Sequence, residues 1–154
     1  MSELRVVDGI EGLRTLIGVE LGPTDPLPVD QAMVDAFADV TRDHQFIHVD
    51  PERAAREGPF GGTVAHGFLV LSLVPPLLLG SLLRVDGVTT IVNYGVERVR
   101  FPAPTRVGAG LTLQATLTEL GPKGDGHLGR FGLVFHATGS PKPCCVGELL
   151  LLFV

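Results

Sequence analysis

Residues that can move protons or bind a developing oxyanion lie close together in the middle of the chain. Asp43 and His48 place a carboxylate and an imidazole five residues apart, and His66-Gly67 follows at the start of a long apolar run, residues 68–83. On an α-helix, positions five residues apart point about 140° away from each other, so Asp43 and His48 cannot meet on a regular helix. They can meet if a helix ends near Asp43 and the chain turns. The pattern therefore indicates an acid/base pair carried by a loop.

The elements around these residues are predicted to be helical. Asp30 is a typical N-cap, and apolar residues at three- and four-residue spacing predict a helix that ends near Thr41. A second, short helix is predicted over residues 51–57, with proline in its first turn. The apolar run opens near His66 and predicts a buried helix. This helix should be kinked at Pro75-Pro76, because proline has no N–H to donate and its ring crowds the preceding turn.

From Val88 onward the pattern changes to strands. Segments rich in β-branched residues or alternating in polarity are separated by glycine and proline, which predicts consecutive antiparallel strands. These segments are residues 88–94, 96–101, 111–120, 128–138 and 146–154. Helices followed by strands predict an α+β fold, an antiparallel sheet wrapped around one long buried central helix, which residues 80–87 should close. The length of 154 residues fits a single domain over residues 1–154.

Composition narrows the class of protein. The net charge of -5 disfavours a nucleic-acid partner, and charged residues make up only 19% of the chain, which favours apolar surface covered by a partner subunit over a large core alone. The apolar run is barely long enough to span a membrane and contains two prolines, so a buried helix is the better interpretation. Cys144 and Cys145 are adjacent and form neither a disulfide nor a metal motif, as expected of buried thiols in a reducing compartment. No leader segment is expected from residues 1–8, so a cytoplasmic location is predicted.

Several short motifs resemble one family. They are residues 37–51 (FADVTRDHQFIHVDP), 58–61 (GPFG), 65–67 (AHG), 92–95 (VNYG), 99–104 (VRFPAP) and 107–108 (VG). In this order and spacing they resemble the MaoC-like, (R)-specific enoyl-CoA hydratases, especially the short single-domain branch, over residues 30–110. The resemblance implies a hot-dog fold, a homodimer, and syn hydration of trans-2-enoyl-CoA to (R)-3-hydroxyacyl-CoA. It implies no metal and no cofactor beyond the coenzyme A of the substrate.

The resemblance also implies roles for individual residues. Asp43 and His48 match the catalytic pair and would jointly hold and activate the water, and Gly67 matches the backbone N–H that binds the enolate oxygen. Gln45 would orient the substrate; the family commonly has Asn-Pro where this chain has Gln-Phe, and glutamine offers the same donor and acceptor one methylene further out. His66 would either line the pocket or form a local hydrogen bond that fixes the loop.

Two further features concern the rim of the expected site. Some family members carry a supporting serine on the central helix; here that position falls on Pro75, and Ser72 lies one turn earlier. Arg98, Arg100 and Arg106 could meet the phosphates of coenzyme A, although exposed strand arginines are equally ordinary. Arg100 is included among the predicted substrate-binding residues.

Alternative functions share parts of this pattern. The same site could dehydrate 3-hydroxyacyl groups on acyl carrier protein, and a hot-dog thioesterase would share the fold without needing the Asp43/His48 spacing. A non-catalytic acyl-thioester-binding partner subunit would bind without turnover. Residues 44–48 have the two-histidine spacing of a zinc protease helix, but Gln45 replaces the glutamate base and Pro51 interrupts the helix, which disfavours zinc.

Overall fold

The computed structural model describes residues 2–154 and has the predicted α+β composition. Met1 lies outside the described residues, so the predicted domain can be followed only from its second residue. The helical elements are α1 (Gly9–Arg14), α2 (Gln31–Thr41), α3 (Phe46–Val49), α4 (Pro51–Glu57), α5 (Gly67–Ser72) and a π-helical turn (Pro75–Leu79). The strands are β1 (Arg5–Asp8), β2 (Glu20–Leu21), β3 (Leu27–Pro28), β4 (Leu83–Asp86), β5 (Ile91–Arg100), β6 (Gly110–Lys123), β7 (Gly126–Ala137) and β8 (Cys145–Phe153).

The main sheet is antiparallel and has the strand order β2-β6-β7-β8-β5, with β3 also paired to β6. Residues at alternate positions of β6 and β7, such as Leu113, Leu117, Phe131 and Phe135, are fully buried and pack into one core with the helical segments. This alternation is expected of a sheet that buries one face. The predicted strands are therefore confirmed, except that residues 88–94 and 96–101 belong to one strand, β5, whose register shifts twice.

The central helix is present but interrupted. Instead of one long helix, α5 ends at Ser72 and a separate π-helical turn follows, closed by a bond from the Gly80 N–H to the Pro75 carbonyl, 3.0 Å long. Two adjacent prolines supply no N–H groups at this point, so the regular ladder cannot continue. The helix was predicted to be kinked at Pro75-Pro76; it instead ends at Ser72, and the two prolines begin the π-helical turn. Both prolines and Phe68 are exposed, so one side of this segment is uncovered in the single chain.

A second, small sheet was not predicted. Residues 83–86 form β4, which pairs in parallel with β1, where the sequence pattern predicted only the end of the helix. The segment is short and its partner lies almost eighty positions away, so no local pattern reveals the pairing. Within residues 2–154, no helix is long and apolar enough to cross a membrane.

Helix caps determine where the functional segment turns. The Asp30 side chain accepts a hydrogen bond from the Met33 N–H and starts α2, as predicted, and Arg42 ends it in the left-handed conformation with φ of 63°. The Asp50 side chain accepts a hydrogen bond from the Arg53 N–H and starts α4, with proline in its first turn. The chain between these two helices, residues 43–50, therefore starts at the turn made by Arg42, and its short helix α3 packs against α2.

Candidate active site

Asp43 lies just beyond the end of α2, as the sequence predicts. Its side chain is exposed, and Oδ1 accepts a 3.4 Å hydrogen bond from the N–H of Gln45. Because Arg42 takes the left-handed conformation, the chain turns after α2, and Asp43 is the first residue beyond this turn. This turn permits a carboxylate and an imidazole five residues apart to approach each other.

His48 is buried within the short helix α3, and its protonation pattern follows from its neighbour. Nδ1 lies 2.7 Å from the carbonyl oxygen of Val64. A carbonyl oxygen can only accept a hydrogen bond, so Nδ1 carries the proton and donates. In the neutral ring, Nε2 is then the free acceptor. This tautomer leaves Nε2 able to accept a proton.

Two hydrogen bonds of the Gln31 side chain, called here the polar brace, hold the backbone of His48 in place. The Gln31 side-chain amide donates a 2.7 Å hydrogen bond to the His48 carbonyl, and its Oε1 accepts a 2.7 Å bond from the buried Thr63 hydroxyl. Sequence reasoning did not find either residue, because the first turn of α2 gives no indication that one of its side chains reaches a carbonyl seventeen positions away. The brace connects α2, α3 and the segment that precedes α5.

His66 joins the two predicted catalytic residues. Its Nε2–H donates to the Asp43 carbonyl over 2.9 Å, and its ring stacks on the ring of His48 with centroids 3.8 Å apart. Of the two predicted roles, the local hydrogen bond is present. The other ring nitrogen, Nδ1, is buried and has no hydrogen-bond partner, the one such side-chain nitrogen or oxygen among residues 2–154. Phe37 of α2 packs against the same ring.

Asp43, His48 and His66 each place one potential ligand atom within 4.8 Å of the others. This set is the kind of donor group that binds divalent metal ions, but the geometry is poor for one. A zinc ion lies about 2 Å from each imidazole nitrogen, near the plane of each ring. The two rings are stacked, with centroids 3.8 Å apart and planes tilted by only 22°, so the two planes do not meet near a point about 2 Å from both nitrogens. The arrangement instead suits one water molecule. Two hydrogen bonds of about 2.8 Å each can bridge atoms that lie up to 4.8 Å apart.

A cavity of about 290 Å³ opens beside this cluster. His48 and Gly67 both line it, together with Val70 and Phe101. The Phe101 ring leaves no room for a side chain at position 67: a Cβ built there would lie 2.8 Å from a ring carbon. Gly67 is the first residue of α5, where backbone N–H groups have no acceptor within the helix.

The cavity also has a thiol in its wall that the sequence did not single out as part of a site. Cys144 lines the cavity, and burial raises the pKa of its thiol above the ordinary value. Burial likewise raises the pKa of Cys145 to about 12. Both thiols are free and buried, as predicted, and at neutral pH both are protonated and poor nucleophiles.

The remaining predicted residues lie further out. Gln45 is exposed and precedes the first turn of α3, without a side-chain bond to that turn. Arg100 ends β5 opposite Val146 and, like Gln45, is not part of the wall that His48 and Gly67 share. Ser72 is exposed and donates to the Phe68 carbonyl at the end of α5.

Comparison with known proteins identifies the family. The family model for the MaoC like domain matches residues 13–130. The chain belongs to the MaoC-like dehydratase family. The resemblance of its motifs is thereby confirmed, as is the prediction that it is an enzyme of the hydro-lyase class.

Two curated proteins and one solved structure illustrate what this MaoC-like chain is similar to. The 3-hydroxyacyl-thioester dehydratase Z of Mycobacterium tuberculosis is 40% identical over 152 residues, which cover 98% of this chain and 99% of the relative. Nodulation protein N of Rhizobium leguminosarum bv. viciae is 46% identical over 119 residues, 77% of this chain and 71% of the relative. The structure of R-hydratase PhaJ1 from Pseudomonas aeruginosa has a TM-score of 0.69 at 21% identity, covering 89% and 81% of the two chains. The hot-dog fold is thus confirmed.

Proposed function

We propose that this MaoC-like protein is an (R)-specific enoyl-CoA hydratase, which adds water to trans-2-enoyl-CoA and, in reverse, dehydrates (R)-3-hydroxyacyl-CoA. The observation that carries the proposal is the pairing of Asp43 with His48, which lie close enough to share one water beside a cavity of about 290 Å³. Addition of water to an enoyl thioester requires a base, a proton donor and a donor to the enolate oxygen. All three requirements have a candidate group here.

The tautomer of His48 supports a direction for the first proton. Nδ1–H donates to Val64, so the free Nε2 takes a proton from the water that Asp43 helps to hold. The hydroxyl oxygen bonds to Cβ, and the C=C electron pair moves toward the thioester oxygen. The proton then returns to Cα through the same two groups. Because one pair serves both steps, hydrogen and hydroxyl add to the same face, as a syn reaction requires.

Gly67 provides the third group. Its N–H is the candidate donor to the enolate oxygen, and the start of a helix favours negative charge there. The absence of a side chain lets the thioester approach the backbone. An oxyanion donor of this kind contributes about 100- to 1,000-fold to a rate.

The acyl chain has a candidate location next to the helix break. A second cavity of about 310 Å³ lies between the helical segment and the sheet and is lined by apolar groups that include Leu71, Val74, Pro75 and Leu149. Its position supports the hypothesis that the two prolines widen the pocket by bending the helix. A structure with a long acyl ligand that runs elsewhere would contradict this hypothesis.

The carrier-protein reaction is the second candidate. The relative from Mycobacterium tuberculosis is named for the dehydration of 3-hydroxyacyl thioesters, a term that covers coenzyme A and carrier-protein substrates alike. The acid/base cluster serves either carrier equally, so the distinction depends on residues outside the cavity. A non-catalytic partner subunit is less well supported, because His48 has a tautomer able to accept a proton and is braced on both sides.

We further propose that two copies associate through β5. This strand pairs with β8 on one side only and exposes Val92, Tyr94 and Val96, each more than 40% accessible. An unpaired edge with apolar side chains is a common site of subunit association. Sedimentation velocity should show a species of two chains; a single-chain mass at micromolar concentration would contradict the dimer. Two free buried thiols suit a reducing compartment, which supports a cytoplasmic location.

The decisive experiment follows the loss of enoyl absorbance when the protein is mixed with crotonyl-CoA and with a medium-chain enoyl-CoA, with chiral analysis of the product. Wild type should form the (R)-3-hydroxy product. Asp43→Asn and His48→Ala should each reduce turnover by about 100-fold or more, since each removes an acid/base group. The exposed His44→Ala serves as the matched control. Turnover that survives both substitutions, in variants shown to be folded, would overturn the proposal.

A further inference from the structure

An outer cleft adjoins the candidate active-site cavity. It has a volume of about 660 Å³, and the segment Pro102-Ala103-Pro104 lines both spaces. The cleft is large enough for a nucleotide-sized ligand, since small-molecule sites commonly enclose about 300–1,000 Å³. Nothing in the proposed proton chemistry uses it.

The charge of this cleft is opposite to that of the whole chain. The protein has a net charge of -5, yet two cations, Arg106 and Lys142, line the cleft and no carboxylate does. Within residues 2–154, neither cation forms an ion pair with an acidic side chain. Thr138 and Ser140 also line the wall, but their hydroxyls donate to the carbonyls of Gly110 and Lys142. Unpaired cations in a concave space are suited to phosphate.

Both cations are carried by ordered backbone. Val64 and Arg106 form an isolated antiparallel bridge, which the bonds Ala65 N–H to Thr105 O (2.8 Å) and Val107 N–H to Thr63 O (3.0 Å) extend. The same short segment that leads into the active site therefore holds Arg106.

Lys142 belongs to the loop between β7 and β8. The Ser140 hydroxyl closes this loop by donating to the Lys142 carbonyl over 2.9 Å. Two residues further along the chain, Cys144 already lines the inner cavity. The loop thus passes from the outer cleft to the inner cavity within three residues.

Arg106 lies within reach of the pantetheine arm of a coenzyme A thioester bound at Gly67. Val64 is three residues from Gly67, so the backbones of Arg106 and Gly67 are at most about 16 Å apart, three extended residues plus one strand spacing. The thirteen bonds from the sulfur to the first phosphorus of coenzyme A span about 15 Å when extended like a peptide chain. A thioester at Gly67 can therefore reach Arg106 with its first phosphate.

From these observations we propose that Arg106 and Lys142 form a phosphate-binding subsite that takes the diphosphate of coenzyme A. This inference rests on the proposed function, because it assigns the carrier end of the same thioester substrate. The cleft is large enough to hold the nucleotide of coenzyme A. A carrier protein presents a single phosphate and contacts its partner through its own protein surface, so it would leave most of this cleft empty. Of the three arginines that the sequence suggested for the phosphates, Arg98, Arg100 and Arg106, this proposal uses Arg106 alone.

The test compares Arg106→Ala/Lys142→Ala with a control that loses the same charge elsewhere, Arg84→Ala/Lys123→Ala. Each variant is assayed with crotonyl-CoA and with crotonyl-pantetheine, which has no phosphate. Loss of two phosphate contacts should raise KM for crotonyl-CoA roughly 10-fold or more at low salt. The kcat should stay unchanged, and so should kcat/KM for crotonyl-pantetheine. Wild-type KM for crotonyl-CoA should rise with salt, because exposed phosphate contacts are screened.

Calorimetric binding of free coenzyme A gives a readout that needs no turnover. Weaker coenzyme A binding by the double variant than by its control supports the subsite, whether or not crotonyl thioesters are turned over. If binding is weaker but no variant, nor the wild type, turns them over, the subsite stands and only the proposed hydratase reaction is refuted. Equal binding overturns the subsite. Equal losses with crotonyl-CoA and crotonyl-pantetheine also overturn it, since they indicate a distorted site. Unchanged coenzyme A binding with lost turnover of crotonyl-acyl carrier protein would reassign the two cations to the carrier protein.

Discussion

Replacing His66 with leucine removes two polar atoms whose effects on the free energy of unfolding have opposite signs. The partly buried Nε2–H bond to the Asp43 carbonyl contributes about 1 kcal/mol net. The ring stack on His48 contributes about another 1 kcal/mol. The unpaired, buried Nδ1 costs about 1–3 kcal/mol, and leucine, of similar volume, removes that cost. The net change in stability should therefore lie within about 1 kcal/mol of zero.

Activity should respond very differently to His66→Leu. Without the donor, Asp43 loses the contact that holds its backbone beside His48, and a displacement of about 1 Å in a reacting group can cost about 100-fold in rate. We expect kcat for crotonyl-CoA hydration to fall by about that factor, with KM little changed, because the substrate-binding walls are untouched.

Two measurements separate these effects. Urea unfolding monitored by circular dichroism gives the stability, and initial rates of enoyl consumption give kcat. His44→Leu is the matched control, since His44 is exposed on the same turn and pairs only with Asp39 at the surface; both readouts should stay near wild type. A loss of 3 kcal/mol or more for His66→Leu, or a wild-type kcat, would refute the assignment of His66 as the residue that positions Asp43.

Two further substitutions have defined outcomes. Gly67→Ala should lower kcat by about 100-fold, because its Cβ would displace the Phe101 ring and the thioester. Gly62→Ala, with open space around its Cβ, is the control and should keep the wild-type rate. Equal steady-state rates for the two variants would count against Gly67 as the oxyanion donor. Arg130 lowers the pKa of Glu97, so the extra stability of wild type over Arg130→Met should be fully present above the ordinary carboxyl pKa of 4.5. It should be lost as the pH falls from there through the lowered pKa of Glu97. A pH-independent difference in urea midpoint would contradict this.

Local signals predicted the segment that carries the site. Asp30 and the spacing of apolar residues gave α2 its start and its end, and Pro51 gave α4 its first turn, because caps and proline act over only a few residues. The antiparallel strands followed from alternation. The motifs also indicated a local bond for His66, although not its partner.

Other parts depend on distant contacts and gave no local pattern. The pairing of β4 with β1 joins segments far apart in sequence, and Gln31 reaches His48 only because α2 packs over α3. The length of the central helix was overestimated because hydrophobicity continues through Pro75-Pro76 into β4, and the pattern alone does not distinguish a buried helix from a buried strand. The predicted substrate contacts of Gln45 and Arg100 stay predictions.

The attachment of the catalytic segment also has a consequence for local unfolding. Residues 31–66 form no strand of the sheet. Their backbone hydrogen bonds to the rest of the chain lie mainly near the end of this segment, at the Val64–Arg106 bridge and the neighbouring Thr63 and Ala65. Breaking those few bonds, together with the core contacts of Val34 and Ala65, would release the acid/base pair while β6, β7 and β8 remain hydrogen-bonded to one another. The protein is therefore expected to open in two cooperative units, and the amide protons of α2–α4 should exchange sooner than those of the central strands. Bound substrate should slow exchange most in the first unit, which carries the acid/base pair.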